Sequence, residues 1–301
     1  MIFFNAHISR TGGLTLADIL RRNFGEGHLD IYTQEIKNVL GLDRVKPTIG
    51  MLTPDELNLI LDQHKGVKSI SSHWIPIPSG IEILKERFGE IKLVTFLRDP
   101  VDVVISKFFH FRRKYIHSDK LPEHMVYDYR NDLNLFLKHW DYVSNRYKVY
   151  DQCKNYITYI LDNTNNNEKA ISRLKKEFWF VGLTERFNEG LVILRDRFQQ
   201  LGFSFSIYYD RKNRGPKATR QRKSLVTKEV LLNIREQNIL DIELFEYAVL
   251  LYEENIRNYP RDLNKQLRKF NNKLTIWQTY HKIVPNIKRY FLSNFRNNIS
   301  Y

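Results

Sequence analysis

Hydrophobic positions fall along this chain in short continuous runs separated by amphipathic stretches. Ile2–Ile8 is an apolar run broken by Asn5 and His7. Ser-Arg-Thr-Gly-Gly follows, and between Leu14 and Phe24 the positions Leu16, Ile19 and Leu20 recur at helical spacing. The pattern predicts a strand, a glycine-bearing loop and a helix. Thr53-Pro54-Asp55-Glu56 predicts a helix start, with Thr as cap, Pro at the first helical position and acids in the first turn. Val67–Ser72 reads as a strand ending at His73, and Ile81–Phe88 as a helix. Ile91–Leu97 is a continuous apolar strand of the kind buried in a parallel sheet, with Arg98-Asp99-Pro100 and a long helix from Val101 behind it. Leu133–Tyr150 is largely helical in pattern, and Asn163–Asn167 is a polar loop with no packing role. Phe178–Val181 is another buried strand, followed by Gly182–Arg186 and a helix through Leu201. Asp241–Glu253 is a helix too apolar to stand free of the core. Strands alternating with helices imply βαβ units and an α/β domain.

Past Pro260 the pattern changes. Leu263, Leu267, Phe270, Leu274 and Trp277 follow a 4-3-4-3 spacing on one helical face, while Arg268, Lys269 and Lys273 lie off it. Three readings are open: a helix docked on the body, a dimer contact, and a surface for an anionic polymer or membrane. We expect a catalytic domain over 1–260 and a basic amphipathic helical tail over 261–301 packed on it. From Arg261 to Tyr301 there are nine Lys/Arg against Asp262 alone, a surplus of eight out of the chain's +14. The body is therefore only mildly basic, which suits an anionic cofactor or acceptor as well as nucleic acid. The lone Cys153 excludes an internal disulfide and reads as a small buried apolar residue. No stretch approaches the ~18 apolar residues of a membrane span. Met1 runs straight into Ile2-Phe3-Phe4, which reads as strand, so the expected location is cytoplasmic.

Two loops carry candidate chemistry. Gly12 and Gly13 lie between a strand and a helix start, where backbone N–H groups and the helix dipole suit an anion, with Arg10, Thr11 and Thr15 adding donors. Glycines in such a turn also serve backbone geometry alone, so both readings stand here. The G-x-x-x-x-G-K-[S/T] pattern is absent, which argues against an ordinary ATPase or GTPase. Arg98 leaves the carboxyl end of a buried strand, where open α/β sheets bind ligands, and Ser106 follows about two helical turns later. The plainer alternative pairs Arg98 with Asp99 or a neighbouring carboxylate.

His7-Ile-Ser-Arg-Thr-Gly-Gly-Leu-Thr-Leu16 resembles H-I-P-K-T-G-G-T-S-L, the loop that binds the 5′-phosphosulfate in carbohydrate sulfotransferases, the family of heparan sulfate 2-O-sulfotransferase and bacterial relatives. Phe96-Leu-Arg-Asp-Pro-Val-Asp-Val-Val-Ile-Ser106 is similar to that family's 3′-phosphate motif, F-L-R-D-P-x-x-R-x-x-S. Ser72-His73, Asn155-Tyr-Ile-Thr158, Phe180-Val-Gly-Leu-Thr-Glu-Arg-Phe187 and Asn213 resemble its later segments, in the family's order, over about residues 1–255. Three positions depart: Arg10 for Lys, Ser9 for Pro and Leu14 for Thr. Arg keeps the charge but replaces a compact ammonium with a planar fork.

The resemblance implies a P-loop-NTPase-like three-layer α/β/α fold with a central parallel sheet and a C-terminal helical extension. It implies sulfuryl transfer from 3′-phosphoadenosine 5′-phosphosulfate (PAPS) to a hydroxyl, leaving 3′-phosphoadenosine 5′-phosphate (PAP), with no metal. The acceptor would be a saccharide or other hydroxyl compound, neutral or acidic. Cofactor contacts would come from Arg10, Thr11, Gly12, Gly13, Leu14, Thr15, Arg98 and Ser106. Arg214 and Lys217 join them if the basic loop Arg211–Lys223, with seven basic residues, closes over PAPS; otherwise that run is a solvated face. His73 is the candidate general base, because it ends a strand where the loops converge and an imidazole suits proton abstraction at neutral pH. Arg10 is its catalytic companion, and His7 positions its loop. Against this stand a kinase or other phosphotransferase on a similar scaffold, and a nucleic-acid-binding protein working through the basic aromatic tail.

Overall fold

The computed structural model describes residues 1–41, 51–115, 154–210 and 226–297. Five parallel strands form one sheet in the order β2-β3-β1-β4-β5. They are β1 (Ile2–Ala6), β2 (His28–Ile31), β3 (Ser69–Ser72), β4 (Ile91–Leu97) and β5 (Phe178–Leu183). Every residue of β1 is buried, because it runs through the middle of the sheet with Phe3 opposite Ser69 on one side and Lys92 on the other. Helices flank the sheet in a three-layer α/β/α arrangement: α1 (Gly13–Phe24), α2 (Thr33–Leu40), α3 (Pro54–Asp62), α4 (Ile77–Phe88), α5 (Pro100–Tyr115), α6 (Tyr156–Asp162), α7 (Asn167–Lys176) and α8 (Phe187–Gln200). Further helices follow at the C-terminal end: α9 (Lys228–Gln237), α10 (Ile239–Arg257) and α11 (Leu263–Asn297).

Local chemistry sets several boundaries. Thr53 and Glu56 form a reciprocal capping box at the start of α3, with Pro54 inside its first turn. β4 spans the whole apolar run from Ile91, whereas β3 begins only at Ser69. Asn166, expected in a loop without a packing role, caps α7 by accepting from the Lys169 N–H. The core on one side of the sheet is aromatic: Phe198 stacks on Phe205 at 3.8 Å and meets Phe3 at 4.3 Å. Helix α11 lays Phe270 and Leu274 into this body as buried residues, with Leu263, Leu267 and Trp277 partly buried beside them and Arg268, Lys269 and Lys273 exposed. Trp277 stacks on Tyr208, and the Arg22 guanidinium of α1 sits 5.1 Å from its ring. No helix among the described residues is long and apolar enough to cross a membrane. Cys153, Leu133–Tyr150 and the basic loop with Asn213, Arg214 and Lys217 lie outside the described residues.

Candidate anion-binding active site

The carboxyl ends of β1 and β4 lie side by side in the sheet. From β1 the chain moves toward the β2 edge and from β4 toward the β5 edge, which opens a crevice above this pair. The loop after β1 turns through Arg10 (φ 70°) and Gly12 (φ 92°). Gly12 adopts the left-handed region freely, while the same conformation in Arg10 costs about 1–2 kcal/mol. Gly12 caps α1 through its backbone alone, its carbonyl accepting from Thr15 and Leu16 at 2.9 and 3.2 Å. Gly13 has a packing reason as well: a Cβ there would lie 1.9 Å from His7 Cδ2.

The loop is tied down from several sides. His7 is buried, with Nδ1 2.9 Å from Tyr32 Oη. Burial first, then the neighbouring His73 and Arg10, push its pKa from 6.5 down to about 3, so its imidazole is neutral at neutral pH. Asn5 Nδ2 donates to the Gly13 carbonyl at 3.1 Å, and Thr11 Oγ1 donates to the Ile8 carbonyl at 2.7 Å. Thr184 Oγ1 lies 2.7 Å from the Thr11 carbonyl and 2.9 Å from that of Leu97, joining the ends of β1, β4 and β5. The Ser9 N–H donates to Tyr156 Oη at 3.3 Å. Thr15 is buried, whereas Leu14 is 39 % exposed and offers the site only its backbone.

In the second loop Asp99 does not pair with Arg98. Its Oδ1 accepts from the N–H groups of Val101 and Asp102 at 2.8 and 3.3 Å, capping α5. Its own N–H donates to Glu185 at 3.0 Å, and burial pushes the Glu185 carboxyl above its usual range. Arg98 points inward: Nη1 donates to the Arg10 carbonyl at 3.3 Å and Nη2 lies 3.7 Å from Asp102. Arg10 Nε donates in turn to Ser106 Oγ at 3.0 Å. Arg10, Arg98 and Ser106 therefore meet, although 96 positions separate Arg10 from Ser106. Two guanidinium forks, a hydroxyl and the amino end of α1 form a donor set that fits phosphate-like anions.

No protein-family model matches the chain, and no curated protein matches it. Among solved structures it is similar to a sulfotransferase from Alicyclobacillus acidocaldarius, at 14 % identity and a TM-score of 0.43, covering 80 % of this chain and 95 % of that one.

His73 sits on the far side of the loop from β4. It follows β3, whose Ser72 carbonyl accepts from the His7 N–H at 2.9 Å, and its half-buried ring lies edge-on to His7 at 5.5 Å, between Tyr32 and Trp74. Among the described residues no cluster of His, Cys, Asp and Glu is arranged to hold a metal ion. Sequence reading missed Tyr32 and Lys107, and quoted Tyr156 only as part of the Asn155–Thr158 segment, without its contact to the loop. Lys107 is buried next to Ser106 with Nζ 3.0 Å from the centre of the Tyr156 ring. Asn155, in contrast, serves the scaffold. Its Oδ1 accepts from Leu240 and its N–H donates to Asn238, joining α6 to α10.

Proposed function

We propose that the protein transfers a sulfuryl group from PAPS to a hydroxyl of a carbohydrate. The observation that carries this reading is the meeting of Arg10 with Ser106 at 3.0 Å and of Arg98 with the Arg10 carbonyl at 3.3 Å. It brings the two loops whose sequences resemble the 5′- and 3′-anion motifs of carbohydrate sulfotransferases into one crevice. Arg98 and Ser106 would hold the 3′-phosphate. Arg10 and the backbone N–H groups of Thr11, Gly12, Gly13, Leu14 and Thr15 would hold the 5′ end and meet the negative charge that develops on the bridging oxygen. Arg214 and Lys217 would add charge from the basic loop.

PAPS supplies the sulfuryl group: the acceptor oxygen forms a bond to sulfur as the bond from sulfur to the 5′-phosphate oxygen breaks, and PAP leaves. In this reading His73 takes the acceptor's proton, and no metal takes part. His7 stays neutral between Tyr32 and His73, so it adds no competing positive charge beside the base. We read the location as cytoplasmic, in keeping with a chain whose single cysteine can form no internal disulfide.

The test is transfer of labelled sulfur from PAPS to a panel of neutral and acidic saccharides. The reading expects label in at least one saccharide with release of PAP. Phosphoryl transfer from ATP to the same panel, with no sulfur transferred, would overturn it.

A further inference from the structure

Helix α11 carries a second apolar stripe that the described residues of the body do not cover. Ile276, Tyr280 and Ile283 are 69 %, 63 % and 49 % exposed, and their 4-3 spacing sets them along one side of the helix. The same turns are already docked by another side. Leu274 is buried, Trp277 stacks on Tyr208, and Gln278 Nε2 donates to the Tyr209 carbonyl at 2.7 Å. The described residues that dock the first side cannot also cover the second stripe without giving up the first.

The sequence continues this 4-3 spacing at Ile287 and Tyr290, inside a helix that runs to Asn297. At 35 residues α11 is roughly 52 Å long, and among the described residues its docked stripe runs from Leu263 to Trp277. From Ile276 onward the chain has Lys282, Lys288, Arg289 and Arg296, and no Asp or Glu follows Asp262. The charge decides between possible occupants. By the helical repeat these cations lie off the stripe, so a second copy would pack the apolar side chains and leave the cations without a partner. A nucleic acid would meet the cations but leave Ile276, Tyr280 and Ile283 in water. A bilayer surface rich in anionic lipid meets both needs, taking aliphatic and aromatic side chains at the headgroup boundary and cations at the lipid phosphates.

We propose that α11 from Ile276 onward is an interfacial membrane-binding helix for anionic lipid surfaces, holding the body at the bilayer without spanning it. The proposal is independent of the reaction assigned to the crevice.

The test is co-sedimentation of the full chain with vesicles of phosphatidylcholine alone, or with roughly 30 % phosphatidylglycerol to give the negative surface potential. The parent protein should partition at least tenfold more strongly onto the anionic vesicles. Ile276→Asp with Tyr280→Asp should remove at least tenfold of that binding without moving the melting temperature, since both side chains are exposed. Lys288→Gln with Arg289→Gln should lower it about 30-fold, at about fivefold per cation, and provides a second test that leaves the stripe intact. No binding to the anionic vesicles, or equal binding by parent and both variants, would overturn the proposal. So would a concentration-dependent dimer, without vesicle binding, that Ile276→Asp and Tyr280→Asp abolish.

Discussion

Gly13→Ala is a small substitution with two opposing effects. Alanine relieves the entropic cost of glycine in a helix by up to about 1 kcal/mol, and Gly13 begins α1 without the positive φ of Gly12. Against this, the new methyl would lie 1.9 Å from His7 Cδ2, 2.3 Å from Cγ and 2.6 Å from Nε2. The ring has little room to retreat, being buried and hydrogen-bonded to Tyr32. Overpacking of this kind costs about 1–3 kcal/mol, and losing the His7–Tyr32 bond adds about 1 kcal/mol. The net expectation is a loss of about 1–3 kcal/mol. With a urea dependence of about 3 kcal/mol/M, the unfolding midpoint should fall by roughly 0.3–1 M. Because the clash is with one ring, His7→Ala in the Gly13→Ala background should restore at least about 1 kcal/mol relative to the sum of the single changes. A Gly13→Ala protein as stable as its parent, with no coupling to His7, would refute the packing argument.

Three further outcomes are expected. Between the folded pKa of His7, about 3, and its ordinary 6.5, the unfolded chain binds more protons, so stability should fall as pH drops through that window, by at most about 1.4 kcal/mol per pH unit; a His7→Asn variant with the same urea midpoints against pH as its parent would deny it. His73→Ala should lower turnover by ~10²–10⁴ while PAP affinity measured by calorimetry stays nearly constant, and Arg10→Lys should keep or raise turnover; full turnover without His73 would assign the base elsewhere. Truncation after Pro260 should expose the surface that Phe270 and Leu274 cover and lower the melting temperature, yet leave PAP able to raise it again; a truncated chain melting with its parent would show that the contact contributes nothing.

What the sequence disclosed was mostly local. β4 was legible to the residue because Ile91–Leu97 is an unbroken apolar run, and the start of α3 because its capping box lies within four residues. β2 was not: its four residues include His28 and Asp30, and pairing with β3 decides its extent. α6 was invisible for a different reason. Its cap residue, Asn155, has φ 48° and makes no side-chain cap, and Asp241, 84 positions away from Ile157, accepts the N–H groups of Ile157 and Thr158 that a local cap would serve. Asp241 bears the cost of that buried role, since desolvation pushes its carboxyl upward. In the site, the spacing of Arg98 and Ser106 marked one loop and Arg10 with Gly12 and Gly13 the other. Tyr32 and Tyr156 touch the first loop from distant segments; no pattern announces Tyr32, and Tyr156 lies inside the Asn155–Thr158 segment without being marked there as a contact of the loop.

The central claim is that the two loops form one site that recognises a 3′,5′-bisphosphorylated adenosine. Titration calorimetry of PAP and of adenosine 5′-monophosphate, which differ by the 3′-phosphate, tests it on the parent, Arg98→Ala and Ser106→Ala. A hydrogen bond to a charged group contributes about 1.5–3 kcal/mol, so each substitution should weaken PAP by about 10- to 150-fold and leave the monophosphate almost unchanged. Equal losses for both nucleotides, or a parent protein that does not prefer PAP, would contradict the account.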